Sequence, residues 1–185
     1  VNFIFIRMGL DGIPSMLLVA IRFTLVAFPA VFFIKKPNIE WKYIIAYGLT
    51  VGVGQFACMF YSIELGMPAG LASIIAQLQA FISPLLGAIF LKEKVKPKQL
   101  IGFVIAAIGL GVIGYVSTTN GASSIPLVAL VLIICAPFFW AISNIVVRFA
   151  SNRATEKGEE LNMLSLVVWA GLVPPIPMII LALLI

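Results

Sequence analysis

Leu91-Lys92-Glu93-Lys94-Val95-Lys96-Pro97-Lys98 is the stretch that decides the fold. Its four lysines stand between an apolar run that ends at Leu91 and another that starts at Gln99. Two other short segments share its character, one with Lys35, Lys36 and Lys42 and one with Arg148, Arg153 and Lys157. Ten of the twelve Lys and Arg residues fall at 35–42, 92–98 and 148–162, while the connections around Gly66 to Pro68 and Ser117 to Ser124 hold none. Basic and non-basic connections that alternate along a ladder of apolar segments form the positive-inside pattern. The pattern predicts an all-α membrane protein, a multi-span helical bundle in the cell's inner (plasma) membrane. The three basic loops are expected in the cytoplasm, with Arg7 as a single exception near the outer face.

Composition points the same way. The chain is 62% hydrophobic and 10% charged, with a mean hydropathy of +1.17. A soluble domain of this length has a polar surface to cover and is less apolar. The net charge of +5 is accounted for by loops beside anionic lipid, so the expected partner is the bilayer and not nucleic acid. The absence of histidine removes the usual general base and the commonest metal ligand, and no Gly-rich phosphate loop is visible. Neither an enzyme, nor a cofactor, nor a metal site is expected. Cys58 and Cys135 lie inside apolar segments and read as small buried hydrophobes.

Six segments are long enough to span, at about 14–34, 43–63, 69–91, 99–116, 125–147 and 163–185. Continuous apolar composition favours helices over the alternating strands of a membrane barrel. Val1 opens the chain inside an apolar run without a methionine, and Ile185 closes it inside another; a piece of a longer protein is expected. Pro29, Pro84, Pro137, Pro174, Pro175 and Pro177 fall within spans. Each removes a backbone hydrogen bond, so they are either packing kinks or hinges beside a substrate path. In 99–116, Gly102, Ala106 and Gly109 make a small-residue stripe, and Ala107, Gly111 and Gly114 another. Such stripes admit close helix packing, inside one chain or between two copies in a homodimer.

Asn2 to Ile34 and Asn144 to Ile180 share a skeleton: Asn2 and Arg7 match Asn144 and Arg148, and Leu25-Val26-Ala27-Phe28-Pro29 matches Ala170-Gly171-Leu172-Val173-Pro174. The implied unit has five spans, and an odd unit returns upside down, as in inverted-repeat transporters.

The block Gln55-Phe56-Ala57, Gly66-Met67-Pro68-Ala69-Gly70-Leu71-Ala72-Ser73, Leu91-Lys92-Glu93, Gln99 to Gly102 and Gly109 resembles the EamA family of the drug/metabolite transporter superfamily. Arg22-Phe23-Thr24-Leu25-Val26-Ala27-Phe28-Pro29-Ala30 adds to the likeness. Lys92 departs from the family's usual Gly before Glu93. The resemblance implies an inverted five-helix-repeat fold, incomplete here. Residues 1–117 would be the first repeat, from the end of helix 1 through helix 5. Residues 118–185 would start the second, with helices 6 and 7. It further implies a secondary active transporter that exports small metabolites, such as amino acids or derivatives like cysteine and O-acetylserine, by alternating access. A channel, or a non-transporting assembly or sensor subunit, is the competing reading.

The candidate contacts for a small-molecule substrate are the polar groups at depth. Arg22 lies about 12 Å into its span, where an arginine costs roughly 2.5–3.5 kcal/mol and is expected to face the bundle interior. It serves either as a structural tie to a carboxylate or carbonyls, or as an anion contact. The repeat offers no charge at the matching place, near Val167. Glu64, at an outer span end, is an interfacial carboxylate, a partner for Arg22 or a gate. Gln55, Gln77 and Gln79 sit mid-span, as interhelical glue or as substrate contacts. Gln77 and Gln79 lie about 200° apart on a helix, so at most one squarely faces a cavity. Ser73, Trp140 and Asn144 complete the set, with Ser83 on the same terms as Ser73.

Overall fold

The computed structural model describes residues 6, 9, 12–91, 97–119 and 125–184, with only the backbone given at 110 and 113–119. Arg7, Lys92, Lys94 and Lys96 lie outside the described residues. Among the described residues there are six helical rods and no strand. We label them α1 (Ser15–Val31), α2 (Trp41–Glu64), α3 (Ala69–Leu91), α4 (Pro97–Thr119), α5 (Leu127–Glu156) and α6 (Met163–Leu184). They coincide one for one with the six expected spans. Four of them, α2, α3, α5 and α6, are long and apolar enough to cross a membrane. α1 has 17 residues, a rise of about 25 Å.

The ends of the rods follow from local chemistry. Pro14, Pro68 and Pro126 immediately precede α1, α3 and α5, where a missing N–H costs nothing. Asn162 caps α6 by accepting the Ser165 N–H at 3.1 Å. At the other ends, α2 closes through Gly66 (φ 104°) and α5 through Gly158 (φ 74°). In each, the residue after the glycine donates back across the turn, Met67 N–H to Ser62 O and Glu159 N–H to Ala154 O, both at 3.0 Å. That closure needs the left-handed conformation glycine supplies.

One expectation is corrected here. The segment 148–162 is not a loop throughout, because α5 continues to Glu156. Arg153 and Glu156, three apart and 2.8 Å from each other, form an ion pair on the extended helix. Only 157–162 connects α5 to α6.

Three rods are not simple α-helices. α2 carries a π-helical segment at its centre, Gly48–Gln55, between Trp41–Tyr47 and Phe56–Glu64. Thr50 Oγ1 donates to Ala46 O (2.8 Å) and Tyr47 O (3.1 Å), competing with the regular ladder. α3 tightens at Gln77 and Leu78, whose N–H groups reach back three residues, to Ile74 O and Ile75 O. α6 breaks between Ala170 and Pro175. Pro175 and Pro177 then sit in the first turn of its second half, which tolerates them.

α5 is the central rod, packed against α2 and α3; α1 packs against α2 and α6. Hydrogen bonds fix which ends lie together. Ser15 N–H donates to Glu64 Oε2 (3.1 Å), and Ser62 Oγ to Ala129 O (2.7 Å). At the opposite end Trp169 Nε1 donates to Ile34 O (3.0 Å), and Asn38 Nδ2 to both Glu159 carboxylate oxygens (2.7 and 2.8 Å). α1 therefore runs antiparallel to α2 and α6, and α5 runs antiparallel to α2 but parallel to α3. Two apolar clusters occupy the two ends, one around Phe60, Ile63, Met67 and Ile133, the other around Ile44, Ala150 and Leu166. α4 stays at the edge, touching α3. Its stripe is open: a Cβ on Gly102, Gly109 or Gly111 would meet nothing within 4 Å. The stripe thus packs no other rod among the described residues.

Candidate functional site

Between the two clusters, three irregular backbones meet. Gly48 and Gly52 of the π-helical segment face the break in α6. A Cβ on Gly52 would stand 1.9 Å from Pro174 Cγ, and one on Gly48 would stand 2.6 Å from Ala170 O. A Cβ on Gly54 would stand 2.5 Å from the Phe139 ring of α5. Ala27 of α1 approaches Gly171 from the third side, 3.1 Å from where a Cβ would lie. The glycines let α1, α2 and α6 converge, and beside the convergence a cavity of about 220 Å³ opens.

Arg22 and Phe23 of α1, Tyr47, Val51 and Phe56 of α2, and Val167 of α6 are among its walls. The guanidinium of Arg22 lies over the Phe56 ring, 4.9 Å from its centroid. An aromatic face holds a cation without neutralising it. The edge of Phe23 meets Phe56 at 5.3 Å, which fixes that ring. The lining is otherwise apolar apart from the Tyr47 hydroxyl. The site therefore offers one fixed positive charge and one phenolic O–H, with no carboxylate, among the residues that line it.

Arg22 departs from expectation in one respect. It is exposed at the open side of the cavity and does not point into the core, because the Phe56 ring and the Gly48–Gly52 backbone take up the interior space beside it. Of the readings open for Glu64, the pair with Arg22 is not formed. Seven residues separate Ser15 from Arg22, about 10 Å along the helix, and Glu64 is held at the Ser15 end, where it accepts the first N–H of α1. Glu64 is an exposed capping carboxylate of a neighbouring helix, which the macrodipole of α1 favours.

The other candidates lie elsewhere. None of Gln55, Ser73, Gln77, Gln79, Trp140 and Asn144 lines the Arg22 cavity. Asn144 Nδ2 donates to Ser83 Oγ at 3.1 Å, which ties α5 to α3. Ser73 Oγ donates to Gly70 O in its own helix at 2.6 Å. Gln77 is exposed and Gln79 half-buried, on either side of the tightened turn. Trp140 is 37% exposed. Gln55 is buried at the end of the π-helical segment. Tyr47 and Phe56 were missed, because an aromatic inside an apolar run gives no signal that separates a wall from a core. On the end that carries Asn38 and Glu159, the Lys42 ammonium, 2.7 Å from Glu40, holds that carboxyl below its ordinary range.

A multi-span helical bundle with broken and π-helical rods around a cavity, and a cation at its open side, has the architecture of a membrane transporter. Residues 1–115 match the model of the EamA-like transporter family, and the chain belongs to that family. It is 39% identical over 183 residues to a "Probable amino-acid metabolite efflux pump" of Salmonella typhimurium (strain LT2), an alignment that takes in 99% of this chain and 59% of the relative. It is 38% identical over 176 residues to a protein of the same description from Escherichia coli (strain K12), with 95% and 57% covered. The chain thus spans less than two thirds of these relatives' length. The expectations of the EamA family and of its helical membrane fold hold.

Proposed function

We propose that this chain forms part of a secondary active permease that exports small amino-acid-type metabolites by alternating access across the inner membrane. The carrying observation is the cavity at Arg22. A cation over Phe56 with no carboxylate beside it among the described residues, next to a phenolic hydroxyl and apolar walls, suits the carboxylate of a small metabolite. A volume of about 220 Å³ suits the same class of cargo. The descriptions of the two relatives as probable amino-acid metabolite efflux pumps support that cargo. In this reading 1–117 and 118–185 belong to two inverted repeats. Arg22 and Val167, which the repeat pairs, both line the cavity, and Ala27 and Gly171, one position apart in the repeat, touch. The cavity then lies where the halves meet and is reshaped when they rock. The ends with Lys35, Lys36 and Lys157 face the cytoplasm.

The test is counterflow of labelled cysteine, O-acetylserine and other small metabolites in vesicles. Arg22→Ala is expected to leave the protein at near-normal level and to lower counterflow at least about tenfold, the scale of one charge-assisted contact. Arg22→Lys is expected to rescue poorly, since an ammonium lacks the planar fork. Normal counterflow by the Ala variant removes Arg22 from the site.

A further inference from the structure

A second pocket, of about 170 Å³, lies between the 32–40 and 157–162 connections at one end of the bundle, and Arg22 does not line it. One wall is the start of α6. There Asn162 is occupied as the cap, and Ser165, 6% exposed, lines the pocket with a hydroxyl that has no protein partner among the described residues. That hydroxyl opens on the pocket, where water or a ligand can accept from it. The facing walls carry Lys35, Lys36, Glu159 and Glu160. Glu159 is spoken for by Asn38; Glu160 makes no ion pair with a described residue.

Two ammonium and two carboxylate groups cancel. A plain anion would meet two acids, and a plain cation two lysines. The lining suits a ligand with an anionic oxygen group and an ammonium side by side. The surroundings identify where such a ligand comes from. Lys36 Nζ lies 4.5 Å from the Trp41 ring centroid, and Trp41 packs its edge on Trp169 at 6.0 Å. Paired tryptophans beside lysine mark the headgroup level of a bilayer. Phe28 of α1 and Phe32 just after it pack edge to face and remain exposed, as does Phe33 at 88%, an apolar flank for acyl chains.

We propose that this pocket binds the headgroup of a phospholipid with a primary ammonium. Its phosphodiester would sit at Lys35, the Ser165 hydroxyl and the start of α6, and its ammonium would donate to Glu160. The lipid would then bridge the 32–40 and 157–162 connections beside the Asn38–Glu159 clasp.

Native mass spectrometry of the protein released from micelles tests this, with equal amounts of ethanolamine, choline and glycerol phospholipids of the same chains. The protein is expected to retain one ethanolamine lipid with about a fivefold preference over choline, the scale of one net hydrogen bond at equal charge. Glu160→Gln is expected to abolish the preference, because a trimethylammonium never donated to it, and Ser165→Ala and Lys35→Gln to weaken retention of both lipids. Equal retention of the ethanolamine and choline lipids by the unaltered protein, or an unchanged preference in Glu160→Gln, overturns the proposal. Soluble phosphoethanolamine in excess is expected to leave the bound lipid in place; its displacement would assign the pocket to a free zwitterion instead.

Discussion

Gly52 shows how much one hydrogen atom decides in this molecule. With Pro174 Cγ 1.9 Å from where a Cβ would stand, neither rigid backbone nor ring has room to give. Gly52→Ala is expected to cost about 1–3 kcal/mol by overpacking and to lower the detergent melting temperature. Gly102→Ala, in open space, is expected to leave it unchanged or raise it; equal effects would disprove the close approach of α2 and α6. At this scale the sequence is legible where a residue contradicts its surroundings. Arg22 stands out because a charge in an apolar run demands a reason. Tyr47 and Phe56 agree with their surroundings, so their place around Arg22 appears only once α1 and α2 are docked. Glu64 was legible as an outer-end acid, but its acceptance of the Ser15 N–H depends on a tertiary contact no local pattern encodes.

Among the elements, all six rods follow from hydropathy and the charge of their connections, since a bilayer requires about 20 apolar residues per crossing. The irregularities follow less well. Pro174 announced a bend in α6, whereas the π-helical segment Gly48–Gln55 gave no sign beyond its glycines, because an apolar run reads alike at 3.6 or more residues per turn. Stripes of small residues are similarly ambiguous: Gly48 and Gly52 are packed, and Gly102 and Gly109 are open. The π-helical segment absorbs one extra residue between the two halves of α2. Deletion of Val53 is expected to restore an α-helix and to leave Phe56 in nearly the same phase relative to Tyr47, still over Arg22. The expected outcome is intact membrane insertion with counterflow kept, and lost counterflow would show that the wide turn itself is needed.

On the scale of the whole molecule, the hydrogen bonds put the 32–40 and 157–162 connections at one end and Ser15, Glu64 and Ala129 at the other. That arrangement matches the alternation of basic connections, which is why the order of crossings was readable from charge. A reporter fused after Lys96 is expected to read cytoplasmic and one near Asn120 periplasmic; the opposite result at either place would reverse the orientation. A cysteine pair at Asn38→Cys and Glu159→Cys is expected to cross-link under mild oxidation, given the direct contact of the native side chains. Failure of the pair to link would separate the two connections. What charge and hydropathy left hidden is lateral: which rod is central and which peripheral depends on packing between faces that are all apolar.

The Asn38–Glu159 clasp also sets a timetable. Its two partners are 121 residues apart in the chain, and the Ile34–Trp169 bond joins residues 135 apart. At a synthesis rate of about 5–20 residues per second, Glu159 is made roughly 6–24 s after Asn38. Through that interval the carbonyl of Ile34 and the amide of Asn38 have only solvent, lipid or an assembly factor to bond. The early helices must therefore wait in the membrane unclasped while the ribosome is still at work. The final arrangement of α1 and α2 thus waits on residues made long after them.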